Sequence, residues 1–113
     1  MIVTTMYDVP GHKTTKVLGV ARGTAVRSRH IGRNILAWFR GLVGGEIHDF
    51  TKVIAEAREQ AYDRMLADAK AKGANAILGM RFASTEVMKN AAEFLAYGTA
   101  AILEHAEELE PDA

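Results

Sequence analysis

The stretch from Asp49 to Lys72, "DFTKVIAEAREQAYDRMLADAKAK", constrains the fold more than any other part of the chain. Placed at 100° per residue, Phe50, Val53, Ile54, Ala57, Ala61 and Met65 form one stripe, and Ala55, Tyr62, Leu66 and Ala69 adjoin it. The spacing predicts a helix over 49–72, with Asp49 or Thr51 as the cap, Lys70 and Lys72 in the last turn and Gly73 as the stop. It would be about 35 Å long, the full diameter of a domain of this size. The apolar arc covers roughly 200°, about twice what packing on one sheet requires. A single surface cannot cover it, so the remainder must meet another helix or another subunit.

Strand signals surround this helix. "IVTT" at 2–5 predicts a short strand ended by the Pro10-Gly11 turn. "TTKVLGVARGTAVRS" at 14–28 is rich in β-branched residues and interrupted by Gly19 and Gly23, which predicts one bent or bulged strand, or two short ones. Ser28 suits the cap of a first, short helix at 30–42, with Ile31, Ile35, Trp38 and Leu42 at helical spacing. Two further strands are expected at 74–82 and 92–104, joined by a polar loop containing Ser84, Thr85, Lys89 and Asn90. The last strand is apolar on both sides. Leu95, Tyr97, Thr99, Ala101 and Leu103 share one face, and Phe94, Ala96, Gly98, Ala100 and Ile102 the other. A two-layer domain leaves one such face in water, which again argues for burial against something else. A chain of 113 residues is expected to form a single domain, here 1–104, followed by a frayed acidic tail at 105–113.

Charge is segregated. Residues 1–45 hold seven Lys or Arg against one acid, Asp8, whereas residues 46–113 hold seven against thirteen, so the parts carry about +6 and −6. This polarity predicts attraction between the two parts, within one chain or between copies, or else an anionic partner for the first. The chain has no cysteine, which excludes disulfides, thiolate metal sites and cysteine nucleophiles. "MIVTTMYDVPG" lacks the basic leader and apolar core of a signal peptide, and no apolar run approaches the ~20 residues of a membrane span. A cytoplasmic protein is the expectation.

"RGLVGGE" at 40–46 raises the question of a phosphate loop, but it follows a predicted helix and has neither Walker nor dinucleotide spacing. Gly41, Gly44 and Gly45 are better read as a structural hinge between two helices. "GHKT" at 11–14 lacks the upstream glycine of a Walker loop. The four histidines, His12, His30, His48 and His105, never recur at helical spacing, so the metal signal is weak. The candidates are His30, and His48 with Glu46 and Asp49; "EHAEE", with Glu104, His105, Glu107 and Glu108, is a second local cluster. Arg27, Arg29 and Arg33 are candidates for an anion site or an interface. The chain's pI of about 6.9, and the placement of Trp38 and Phe39 on the apolar side of the first helix, argue against nucleic acid. Ser28 and Ser84 stand in no nucleophile elbow, so no catalytic residue is assigned.

In order, "VTT" at 3–5, Pro10-Gly11, "LGVARG" at 18–23, "VGGEI" at 43–47, "AEAREQAYDRM" at 55–65, "GANAILGMRF" at 73–82 and "AYGTA" at 96–100 resemble the YbjQ-like family of small uncharacterised proteins, which carries a heavy-metal-binding label. The resemblance covers residues 1 to about 104. It implies an α+β, two-layer, dodecin-like subunit: an antiparallel sheet packed on one long helix plus a short one, forming a homo-oligomeric ring, a pentamer. No metal ligand is carried over from it. The functional expectation is a non-enzymatic oligomeric binding module for a metal ion, divalent by the residues available, or a small anionic ligand at subunit interfaces. Two alternatives stay open, a ring that binds another protein without a small ligand, and an enzyme with composite sites between subunits.

Overall fold

The computed structural model describes residues 1–28, 46–88 and 91–106. The chain order is β1 (Ile2–Val3), β2 (His12–Ser28), α1 (Glu46–Ala71), β3 (Ala76–Met88) and β4 (Ala91–His105). The strands form one sheet in the order β1-β3-β4-β2. Strand β4 is antiparallel to both β2 and β3, but β1 runs parallel to β3, pairing Ile2 with Ala76 and Val3 with Ile77. The sheet is therefore mixed, not antiparallel as expected. The helix carries the chain from β2 to β3, a crossover long enough to leave these two strands running the same way, and β1 shares that direction beside β3.

Of the two readings of 14–28, one bulged strand or two short ones, the structure has the first, and the strand extends back to His12. Its register against β4 shifts between Thr14 and Lys16 and again between Val17 and Gly19, and Gly19 takes φ +107°. The long helix is also borne out, with two corrections at its start. It begins at Glu46, so Asp49 and Thr51 lie within it rather than at the cap position. At its other end Gly73 (φ +84°) does stop it: the Gly73 amide donates to the Lys70 carbonyl (3.0 Å) and the Ala74 amide to the Ala69 carbonyl (3.1 Å). These two bonds close a Schellman motif. Ser84 and Thr85 belong to β3 rather than to a loop, because β3 stays paired with β4 as far as Met88. His105 likewise ends β4 instead of starting the frayed tail. The predicted helix at 30–42 lies outside the described residues, as does the rest of the tail from Glu107.

The helix lies on β2 and β4 along a seam of small residues. Ala57, Ala61, Met65 and Ala69 recur every fourth position and face Ala21, Gly23 and Ala25 of β2 and Ala96, Gly98 and Ala100 of β4, all buried. At Gly23 the two backbones touch: a Cβ there would fall on the Ala61 carbonyl oxygen and the Met65 amide nitrogen. Helix side chains also reach over the outer edge of β2. Asp68 Oδ2 accepts from the Arg22 amide (3.0 Å), and the Arg64 guanidinium donates to the Thr24 carbonyl (2.6 Å). Four helix residues, ~6.0 Å, nearly match two strand residues, ~6.7 Å, so successive four-residue steps meet successive outward-facing backbone groups. An edge that would otherwise invite another strand is closed in this way.

The far edge is closed over a shorter length. The Met80 amide donates to the Thr4 carbonyl (2.9 Å) and the Gly79 amide to the Met6 carbonyl (2.9 Å). Gly79 has φ +61° and lies under the Tyr7 ring, which leaves no room for a side chain. Beyond Met80 the described residues place no strand beside β3. Between the edges, the Asn75 side chain stands in for a peptide unit, its Nδ2 donating to the Leu103 carbonyl (2.9 Å) and its Oδ1 accepting from the Leu103 amide (2.8 Å).

Candidate functional site

The helix covers one face of the sheet only. On the other, register places Val17, Val20, Arg22, Thr24 and Val26 of β2 beside Ala101, Thr99, Tyr97, Leu95 and Glu93 of β4. At one end this face has a small core of its own, Ala76, Leu78, Ala101 and Leu103 under Val9. Toward the hairpin it is open: Val17, Val20 and Val26 are 64%, 61% and 54% exposed. Leu95 and Tyr97 are only half-buried, and residues 81–86 of β3 are all exposed.

The buried side offers little to compensate. Nine of the fourteen buried apolar residues among those described are alanine, and only Met65 and Ile77 are large side chains fully withdrawn from water. Each buried methyl contributes about 0.8 kcal/mol, against roughly 1.5–3 for a Leu or Ile side chain. The dimensions agree. The chain measures 70 × 24 × 18 Å with a radius of gyration of 19.0 Å, where a compact domain of this length would have about 13 Å. Among the described residues, the open face is thus the most extensive apolar surface left uncovered.

The electrostatics are modest. The acidic helix lies on the basic strand, but the ion pair described, Asp68 with Lys72, lies within the acidic part, and Arg22 of the strand meets Asp68 through its backbone amide. Asp68 is the contact: its carboxyl is held below the usual carboxylate range, first by the hydrogen bond from the Lys72 ammonium (2.7 Å) and then by the Arg22 amide.

The side chains of the sequence-derived candidates, Glu104 and His105 apart, lie outside what the structure describes. Glu46, His48 and Asp49 fall in the first turn of α1, and only their backbone is described. Arg27 is the next-to-last residue of β2, opposite Ala92, again as backbone. His30, Arg29, Arg33, Gly41, Gly44 and Gly45 lie outside the described residues, with Glu107 and Glu108. Among the described residues, no three His, Asp or Glu side chains are placed to hold a metal ion. No described helix is long and apolar enough to cross a membrane. What sequence spacing missed is a pairing across strands: β2 and β4 set His12 directly opposite His105, with ring centroids 4.6 Å apart. Ninety-odd residues separate the two, and only the register of the finished sheet brings them together.

A family model described as "Putative heavy-metal-binding", that of the YbjQ family, matches residues 1–104. The chain belongs to this family. It is 53% identical over 104 residues to a UPF0145 protein of Dehalococcoides mccartyi, covering 92% of this chain and all of that one. It is 50% identical over 109 residues to a UPF0145 protein of Thermus thermophilus, covering 96% of each. Among solved structures, a protein of unknown function of the DUF74 family from Pediococcus pentosaceus shares the fold at a TM-score of 0.62. That match has 17% identity and covers 92% of this chain and 98% of the other. The sequence resemblance to YbjQ-like proteins is borne out, and with it the α+β class.

Proposed function

We propose that the protein is a non-enzymatic binding module that works as a cytoplasmic homo-oligomer, a dodecin-like ring of five copies, taking up a metal ion or small anion where subunits meet. The observation that carries this reading is the open sheet face, with Val17, Val20 and Val26 each more than half exposed. A second copy is the occupant that fits. The face is continuous with the β3 edge beyond Met80, which can accept a strand from another copy. The basic positions Arg27, Arg29 and Arg33 begin where β2 ends and would supply cations to an anionic ligand there.

Native mass spectrometry of tag-free protein, with elemental analysis of the same sample, tests it. The expected result is one closed oligomer that V17E/V20E converts to monomer with its helix content intact. A monomeric wild type would overturn the assembly. An oligomer indifferent to V17E/V20E would remove this face from the interface.

A further inference from the structure

The strand register assigns a second, independent site. We infer that His12 and His105 form a two-imidazole chelate for a divalent transition-metal ion of the Zn2+ or Cu2+ type. The site lies within one chain, at the end of the sheet where β2 begins and β4 finishes.

Three observations carry the inference. First, the two residues are direct cross-strand partners, so their Cβ atoms are held about 5 Å apart by the ladder itself. Their rings face each other at 4.6 Å between centroids with 35° between planes. An ion bound at ~2.0–2.1 Å from each of two nitrogens in tetrahedral geometry needs them ~3.3 Å apart, so binding requires the exposed His105 ring to turn out of the stacked arrangement and aim its lone pair at the ion that His12 holds.

Second, the His12 ring already has the hydrogen bond that a metal-ligating imidazole uses. Its Nδ1 lies 3.1 Å from the Pro10 carbonyl oxygen. A carbonyl only accepts, so Nδ1 carries the hydrogen and the Nε2 lone pair of the neutral ring is left for an ion. Such a carbonyl partner fixes both tautomer and ring plane.

Third, the frame is stiff on both sides. The His12 amide donates to the Val9 carbonyl (3.0 Å), and the Ala106 amide donates to the Gly11 carbonyl (3.0 Å). Both histidines therefore stand on backbone tied within one residue of them, which limits what ordering the site would cost.

The donor set selects the ion. Imidazole nitrogens suit zinc, copper and nickel and give little hold on magnesium or calcium, whose shells are oxygen. Lys13 and Glu104, the next cross-strand pair, point to the opposite face, because neighbouring residues on a strand alternate. Water then completes the shell, and the site exchanges its metal readily. His105 lies one residue beyond the segment matched by the family model. The site does not rest on the assembly reading, as both ligands come from one subunit.

Titration of tag-free protein with Cu2+ alone and with Zn2+ alone tests the assignment, with the electron paramagnetic resonance spectrum of the copper form as the direct readout. The expected result is one ion per chain, nitrogen hyperfine structure from two imidazoles, and an affinity at least tenfold lower in each of H12A and H105A. H105Q, which keeps size and polarity without the ring, should behave as H105A does. V17E/V20E should keep the site whatever becomes of its oligomeric state, which separates failure here from failure of the assembly. The inference is overturned if the wild type takes up no more metal than H12A/H105A. It is equally overturned if uptake survives in both single variants and is lost on His30→Ala or His48→Ala.

Discussion

The two faces of the sheet use residue size in opposite ways. Under the helix stand Ala21, Gly23, Ala25, Ala96, Gly98 and Ala100; on the open face stand Val17, Val20, Val26, Leu95 and Tyr97. In a domain that folds for itself the larger residues go inside. Here small residues are spent on bringing a helix backbone against a strand, and bulk is kept for the surface that the described residues do not cover. Proximity sets the tolerance to change on one face, and area sets it on the other.

That contrast can be broken most forcefully at Gly23. Adding one methyl group there drives a Cβ into the Ala61 and Met65 backbone, which no rotamer change relieves. Gly23→Ala is expected to destabilise the chain by about 3 kcal/mol or more in urea unfolding, the upper end for overpacking. A cost under about 1 kcal/mol would mean that the helix does not lie as close as described.

A smaller effect is expected at the edge where the two faces meet. Asp68 has its carboxyl held low by Lys72 and the Arg22 amide, so its contribution is fully present above the ordinary carboxylate pKa of about 4. That contribution fades as pH falls through the lowered value. Asp68→Asn should therefore reduce stability at neutral pH and flatten the loss on acidification below about pH 4, read as melting temperature against pH. An unchanged acid limb would separate Asp68 from edge protection.

The smallest effect on the chain itself belongs to the open face. Val20→Ala, measured at low protein concentration where association no longer contributes, should shift stability by no more than about 0.5 kcal/mol. A loss comparable to that of Gly23→Ala would show that this face is packed within the chain after all.

Much of this was readable from local pattern. The fourfold spacing of Ala57, Ala61, Met65 and Ala69 marks the buried stripe, Gly73 marks the helix end, and the two apolar sides of 92–104 mark a strand with a face to spare. What was not readable depends on partners distant in sequence. The parallel pairing of Ile2 with Ala76 follows from where the chain returns after the helix. The length of β3 past Ser84 follows from β4 alongside it, which overrides the polar character of "STE". The His12–His105 pair has no local signature at all. The histidines that sequence reasoning preferred were chosen for nearby acids, a criterion blind to strand register.

The helix side chains that guard β2 work as a vernier. Each four-residue step along the helix advances about 0.7 Å less than the two strand residues it serves. The rungs from Asp68 to Arg22 and from Arg64 to Thr24 fall within hydrogen-bond reach, and roughly three steps further on the accumulated mismatch approaches 2 Å. However long the helix grows, it can shield only a few residues of a straight strand. A strand of seventeen residues therefore always outruns its own guard, and the surplus is available to whatever binds next.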